Sequence, residues 1–440
     1  MFLIGRAKII CERPIRNKSA RYMSGELLYF LSLYEPRGER NGKALSGADL
    51  VCVVANPSTP TKQSNGVAFF RFNRYLCIKY FGMDSKIDIF VALGERLRRF
   101  GEDEQSSRVL AEAIAGNEWF TTEDIHRAID AICEEFLDRE KLSKWVAQYS
   151  IPASARRVAI IMAGNIPLVG FFDMMCAVIC GCETYIKPSS KDTVLTKYVV
   201  DTLRDISDDV RILDYDSEAE YDMIIATGGA EAARYFRTRY ASTPALIRGS
   251  RHSVAVLAGD ESEQELRGLR DDIFAYNGLG CRNVSLIFLP RGMGLDIDAP
   301  KMNPMYRGNY LHCKAMRSMM GQPFVDFGQC IAVEERGFSS NISQINYCYY
   351  DDLEEVESWL AEHDEELQCI VSRALSHPRA VMFGRAQYPT LTDYADGIDV
   401  MKFLNLDVMI DDNKQVMDNA LDLNINGIII LMKQIIISMC

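Results

Sequence analysis

No apolar run in this 440-residue sequence is long enough to cross a bilayer. The nearest approach, Ile428 to Ile437, is too short and is interrupted by Lys433; it reads as a strand pair or a sticky tail. A secretory leader is also missing, because Arg6, Lys8, Arg13 and Arg16 break the N-terminus before an apolar region can form. There is no excess of positive charge: the net of −12 argues against general nucleic-acid binding. The thirteen cysteines are odd in number and scattered, so they form no disulfide framework and point to a reducing, cytoplasmic compartment. Internal repeats and low-complexity tracts are absent as well.

What is present is ordinary globular composition, 48% hydrophobic and 25% charged, in a chain long enough for two or three domains. Charge is unevenly spread. Residues 1–82 hold 13 Lys and Arg against 5 Asp and Glu, a net of +8 that leaves −20 on the remainder. A step of that size marks 1–82 as a separate piece. Its only patterns are an apolar stretch at Leu50–Val54 and a helical patch around 25–33. From residue 83 the pattern becomes regular. Amphipathic helices are expected over 85–101, 106–115, from Thr121 to Leu137, and over 139–148. Short branched runs then alternate with helices: Val158–Met162, a helix opened by Pro167 and closed by Gly181, Thr184–Lys187, a helix over 192–206, Arg211–Tyr215, Tyr221–Ala226, a helix over 230–240 and Ser253–Leu257. This alternation predicts an α/β fold with a doubly wound parallel sheet. A second unit follows, with a helix over 262–275, a strand at Val284–Leu289, strands near 329–334 and 344–350, and a helix over 352–365.

Open parallel sheets bind ligands at the carboxyl ends of their strands. Three such loops carry chemistry. In Met162-Ala163-Gly164-Asn165-Ile166-Pro167, the Asn165 amide is suited to an oxyanion, or equally to a turn or N-cap. Lys187-Pro188-Ser189-Ser190 suits ribose or phosphate contacts, or is a plain surface lysine with its turn. Thr227-Gly228-Gly229 opens a helix where N–H groups can approach a pyrophosphate, although no full G-x-G-x-x-G is present. Cys281 stands apart from the other cysteines. It lies in Asn277-Gly278-Leu279-Gly280-Cys281-Arg282-Asn283, between a helix and a strand, with glycines opening the backbone around a sulfur that can serve as a thiolate nucleophile. Cys176, Cys180 and Cys182 lack a matching ligand pair and read as buried cysteines rather than a metal site.

Taken in order, these segments resemble the LuxC-like acyl-CoA reductases, a branch of the aldehyde dehydrogenase superfamily. The resemblance runs from about residue 83 to 404 and includes Gly384-Arg385-Ala386-Gln387-Tyr388-Pro389 and Asp393-Tyr394-Ala395-Asp396-Gly397-Ile398-Asp399. It implies an aldehyde dehydrogenase-like pair of domains: a helical lead-in and NAD(P)-binding domain over 83–258, and a catalytic domain over 259–404. It implies that Cys281 accepts an acyl group from a fatty acyl-CoA or acyl-protein thioester and that Asn165 stabilises the oxyanion. Lys187, Ser189, Ser190, Thr227, Gly228 and Gly229 would then face the cofactor. A homo-oligomer, and a partner protein that activates or delivers the acyl group, are expected on the same ground.

Two departures shape the expected reaction. Ordinary aldehyde dehydrogenases carry a glutamate base that activates water; the matching segment here, Leu246-Ile247-Arg248-Gly249-Ser250-Arg251-His252-Ser253, holds no carboxylate. Reduction of the acyl-enzyme to an aldehyde is therefore expected over hydrolysis. Where NAD-preferring relatives often have a glutamate after the lysine-proline pair, this chain has Ser190. With Lys187 and Lys191 nearby, this favours NADPH, with NADH as the alternative. The rival readings are an aldehyde-oxidising NAD(P) dehydrogenase using His252, and a non-catalytic acyl- or cofactor-binding relative. Residues 1–82 and 405–440 lie outside the resemblance. They are expected to be additions that pack poorly or to be translated flanking sequence, with Met83 a candidate natural start.

Overall fold

A computed structural model describes residues 74–151 and 156–405, with side chains from Lys86 onward, and before them the backbone of five strands. The chain divides into two compact units, Met1–Ser85 and Lys86–Cys440. The run Ile428–Ile437 and the rest of the tail from residue 406 lie outside the described residues.

The first unit holds one antiparallel sheet of β1 (Lys8–Ile10), β2 (Ser19–Ser24), β3 (Leu27–Leu33), β4 (Leu50–Val54) and β5 (Phe69–Arg71), paired in chain order. β4 matches the apolar stretch seen in the sequence. The helical patch expected around 25–33 is instead β3. A short apolar run fits either period, and pairing decides: β3 aligns Tyr29 with Tyr22 on one side and with Val54 on the other.

The second unit contains the helices α1 (Arg74–Leu97, whose first residues precede the unit boundary), α2 (Glu104–Gly116), α3 (Thr122–Glu135) and α4 (Arg139–Val146). Their starts obey capping chemistry: Asp103, Thr121 and Asp138 each accept a backbone N–H from the first turn. A parallel sheet follows, from β6 (Arg157–Ile161), β7 (Glu183–Lys187), β8 (Ile212–Asp214), β9 (Met223–Thr227) and β10 (Ala245–Arg248), in the order β10-β9-β6-β7-β8. The connecting helices are α5 (Phe171–Ile179), α6 (Thr193–Ile206) and α7 (Ala230–Arg239). Chain direction across the sheet reverses at β6, so the loops after β6 and β9 flank the switch point where such sheets bind ligands.

The second sheet is built on β11 (His252–Val256) and β12 (Val284–Pro290). They are joined by β13 (Val325–Asp326), β14 (Ile331–Glu334), β15 (Gln344–Tyr350), β16 (Leu367–Val371) and β17 (Ala380–Val381), in the order β13-β14-β15-β12-β11-β16-β17. Helices α8 (Glu263–Phe274), α9 (Pro304–Met319), α10 (Leu353–Glu362) and the short α11 (Val400–Leu404) complete the unit. β12 carries the unbroken apolar run Leu286 to Leu289 because both its faces are buried there: Leu286 and Phe288 enter one core, Ile287 and Leu289 the other.

Three expectations need correction. Pro167 does not open a helix; α5 starts at Phe171, because Leu168 takes a left-handed φ of 55° that no helix can contain. The strand expected at Ser253–Leu257, read as continuing the first sheet, is β11, which pairs with β12 and β16 in the second. Finally, β10, β16 and α9 were not foreseen as elements.

Candidate active site

Cys281 follows a strained approach. Tyr276, Asn277 and Gly278 take φ of 52°, 54° and 68° in succession. For the two non-glycine residues such a conformation costs roughly 1–3 kcal/mol each and persists only where the surroundings impose it. Here Asp124, one turn into α3, imposes it. Its carboxylate accepts the Tyr276 N–H at 3.0 Å and the Asn277 amide at 3.4 Å, while Asn277 also donates to the Trp119 carbonyl at 3.1 Å. Beyond the bend, Asn283 locks the loop from beneath. Its Oδ1 accepts the Gly280 N–H at 2.8 Å, and its Nδ2 donates to the carbonyls of Asp272, Ile273 and Ala275. Ser253 on β11 donates to the Cys281 carbonyl at 2.9 Å.

The loop therefore presents one sulfur. Of the nine cysteines among the described residues, Cys281 alone is exposed. The surface it reaches is the floor of a pocket of about 920 Å³ including its mouth. Ala128, Ile132 and Phe136 of α3, Leu168 and Phe172 near α5, and Tyr276 make its walls mainly apolar. The residue is exposed, yet protein surrounds its thiol densely. Burial pushes the Cys281 thiol above its ordinary value, against the downward pull of Arg282 and Arg248. Burial therefore works against the thiolate form that a nucleophile needs.

The structure brings Asn165 to the Cys281 loop: its Nδ2 donates to the Leu279 carbonyl at 2.6 Å. The strand-edge loop that carries Asn165 is pinned in turn by Asp192, whose Oδ2 accepts the Leu168 N–H at 2.7 Å. Asp192 occupies the N-cap position of α6 without capping it. Its Oδ1 is buried without a partner, and burial raises the group to about 7.

The expected cofactor residues lie together at the carboxyl edge of the first sheet, on the ends of β7 and β9. Ser189 packs so closely on Gly164 that a Cβ there would come within 2.5 Å of it, which joins the β6 and β7 loops. Lys187 and Ser190 are exposed, and the Lys187 ammonium lies 5.5 Å from the centre of the Tyr215 ring. Gly228 allows close packing on Ala232, where a Cβ would come within 2.8 Å of that side chain. Gly229 heads α7 with no side-chain cap and open space where a Cβ would stand. An uncapped ten-residue helix behind two glycines, with an exposed ammonium at the same sheet edge on the end of β7, fits a pyrophosphate-bearing dinucleotide.

Sequence reasoning missed a buried charge cluster. Arg248, only 5% exposed, meets Asp173 of α5 at 2.5 Å, and its Nε and second terminal nitrogen have no partner. Next to it Arg251 pairs with Asp396 at 2.9 Å. His252 lies elsewhere. Ser253 meets the Cys281 carbonyl, whereas His252 stacks on Phe338 at 4.5 Å, beside the core that holds Trp359. Burial there holds its pKa down. Cys176, Cys180 and Cys182 are buried, with thiols pushed upward by burial. Among the described residues no helix is long and apolar enough to cross a membrane.

Comparison with known proteins agrees with this geometry. Residues 111–299 match the family model described as acyl-CoA reductase (LuxC). No curated protein matches the sequence. Among solved structures, aldehyde dehydrogenase 21 from Physcomitrella patens, in complex with the reaction product succinate, is similar at a TM-score of 0.52 and 12% identity, over 74% of this chain and 80% of that one. An acetylating aldehyde dehydrogenase from Geobacillus thermoglucosidasius is similar at 0.50 and 12%, over 75% of this chain and 93% of that one. At such identities the likeness is one of fold: this chain has the aldehyde dehydrogenase fold.

Proposed function

We propose that this chain, which carries an acyl-CoA reductase (LuxC) family region over residues 111–299, takes an acyl group from a thioester onto Cys281 and releases it as an aldehyde. The observation that carries the reading is that Cys281, alone exposed among the described cysteines, lines a mainly apolar pocket. The walls from α3 and α5 suit a hydrocarbon chain, which would bring its thioester carbon to the sulfur. The sulfur lone pair bonds that carbon, the carbonyl pair moves onto oxygen, and its return expels the carrier's thiolate, which takes up the proton released by the Cys281 thiol. One thioester replaces another, so the exchange is nearly balanced in energy.

The second half depends on keeping water inactive. Three nearby carboxylates are engaged: Asp173 by Arg248, Asp396 by Arg251, and Asp393 by the N–H and hydroxyl of Thr390. The segment that matches the base-bearing stretch of ordinary aldehyde dehydrogenases, Leu246 to Ser253, holds no carboxylate, and its Arg248 is buried. Lys187, Ser189, Ser190, Thr227, Gly228 and Gly229 would hold the dinucleotide, with NADPH favoured because Lys187, Ser190 and Lys191 present no carboxylate to a ribose 2′-phosphate. When bound, the nicotinamide supplies the hydride that reduces the acyl carbon. The oxidative alternative through His252 finds no support, since that ring is stacked on Phe338 beside the core that holds Trp359.

The test follows NADPH consumption by the purified chain with medium- and long-chain acyl-CoA. Cys281→Ala should remove the activity, and NADPH should be used in preference to NADH. Full activity in the alanine variant contradicts the proposal.

A further inference from the structure

We propose that Gln387 is a second catalytic amide of this site: its N–H groups donate to the acyl carbonyl oxygen while Cys281 attacks. The inference rests on the acyl-transfer reading and adds a residue for which the sequence suggested no role. Gln387 is 7% exposed and lines the same pocket as Gly280 and Cys281. Its Oε1 lies 3.7 Å from the point a Cβ on Gly280 would occupy, beside the residue that precedes the nucleophile.

The backbone around Gln387 is fixed from two directions. Asp272 accepts the N–H groups of Gly384 at 2.7 Å and Ala386 at 3.0 Å, and Arg282 donates to the Ala386 carbonyl at 2.5 Å. The residues on either side of the nucleophile thus meet this segment, Arg282 through its guanidinium and Gly280 through the Gln387 side chain. The amide itself is unused. Its Nε2 is buried without a hydrogen-bond partner. A buried amide left unsatisfied costs about 1–3 kcal/mol, which a protein would avoid with leucine or methionine unless a ligand supplied the missing partner.

The contrast with Asn165 sharpens the assignment. Asn165 spends a donor on the Leu279 carbonyl and so clamps the loop, whereas Gln387 has both its donors free. A half-turn about its last side-chain bond would exchange the NH2 with the Oε1 that lies beside Gly280, without moving the backbone. As the sulfur–carbon bond forms and the carbonyl pair shifts to oxygen, the new negative charge meets an N–H donor in an apolar site, where such a bond is strongest. When the pair returns and the carrier's sulfur departs, the bond relaxes.

The experiment compares wild type with Gln387→Leu, and with Gln387→Met should the leucine variant fail to fold. Mixing with acyl-CoA in the absence of reductant, followed by intact mass, gives the rate at which Cys281 gains the acyl group. Iodoacetamide, which presents no acyl carbonyl to attack, gives the intrinsic reactivity of the sulfur. The expected result is acylation slowed about 10²-fold, alkylation within twofold of wild type, and a Tm equal to or above that of wild type. Acylation at the wild-type rate overturns the role of Gln387 and leaves the acyl-transfer reading standing. Equal slowing of acylation and alkylation makes Gln387 structural and also overturns it. A wild-type chain that never gains the acyl group removes both.

Discussion

At the scale of single residues, the site divides its labour between a stored nucleophile and the groups that hold it. Burial keeps Cys281 protonated at neutral pH, so its alkylation rate should climb steeply as pH rises and show no plateau below its ordinary pKa of 9.0; a plateau near pH 7 contradicts this. Asn165→Ala removes the 2.6 Å bond to Leu279 together with the amide proposed for the oxyanion, and acylation should fall about 10²-fold or more; a loss under threefold contradicts that proposal. Asp192 gives a pH signature in stability. Its folded pKa of about 7 is raised above the unfolded value near 4, so the folded state binds the extra proton between them. Stability from this group is full below about pH 4, declines as pH rises to about 7, and is level above. Asp192→Asn keeps an oxygen for the Leu168 N–H and should flatten that decline in denaturant titrations at pH 5 and pH 8. Cys281 and Asn165 were legible in the sequence through their order among glycine loops. Arg248, Asp124 and Gln387 were not, because their meaning comes from partners far along the chain: Asp124 reads locally as an early acid of α3, and only the fold brings Tyr276 to it.

At the scale of elements, legibility followed local chemistry. Helices with an Asp or Thr cap and an amphipathic stripe were found close to their true ends, and so were the branched strands of the first sheet. Pro167 misled because a proline suits a helix start only if the residues after it can be helical, and Leu168 is left-handed. β16 escapes the sequence reading because the short 3-10 turn Asp364–Glu366 that separates it from α10 is acidic and holds no glycine or proline. One contact between elements deserves a test. Gly268 of α8 lies so near the segment before Gln387 that a Cβ would come within 2.7 Å of the Gly384 nitrogen and the Phe383 carbonyl carbon. Backbone cannot yield as a side-chain tip can, so Gly268→Ala should destabilise by about 1–3 kcal/mol. It should also lower acylation, since it displaces the segment that carries Gln387 and the Arg282 acceptor. Unchanged stability in urea unfolding contradicts this packing.

At the scale of the molecule, the order of motifs predicted the aldehyde dehydrogenase-like fold, but strand order was beyond it. β11 lies between β12 and β16, and no spacing in the sequence reveals which strands a parallel sheet sets side by side. The arrangement that results buries eight of the nine described cysteines and exposes one. Native alkylation followed by peptide mapping should therefore label Cys281 well ahead of those eight. The central claim is that this sulfur passes an acyl group to hydride rather than to water. A single-turnover experiment tests it most directly: load the chain with an acyl-CoA, locate the adduct by peptide mass, then add NADPH and identify the product. The account predicts an acyl adduct on Cys281 that is stable in buffer and leaves as aldehyde when NADPH is added. An adduct on another residue, or release as free acid, contradicts it.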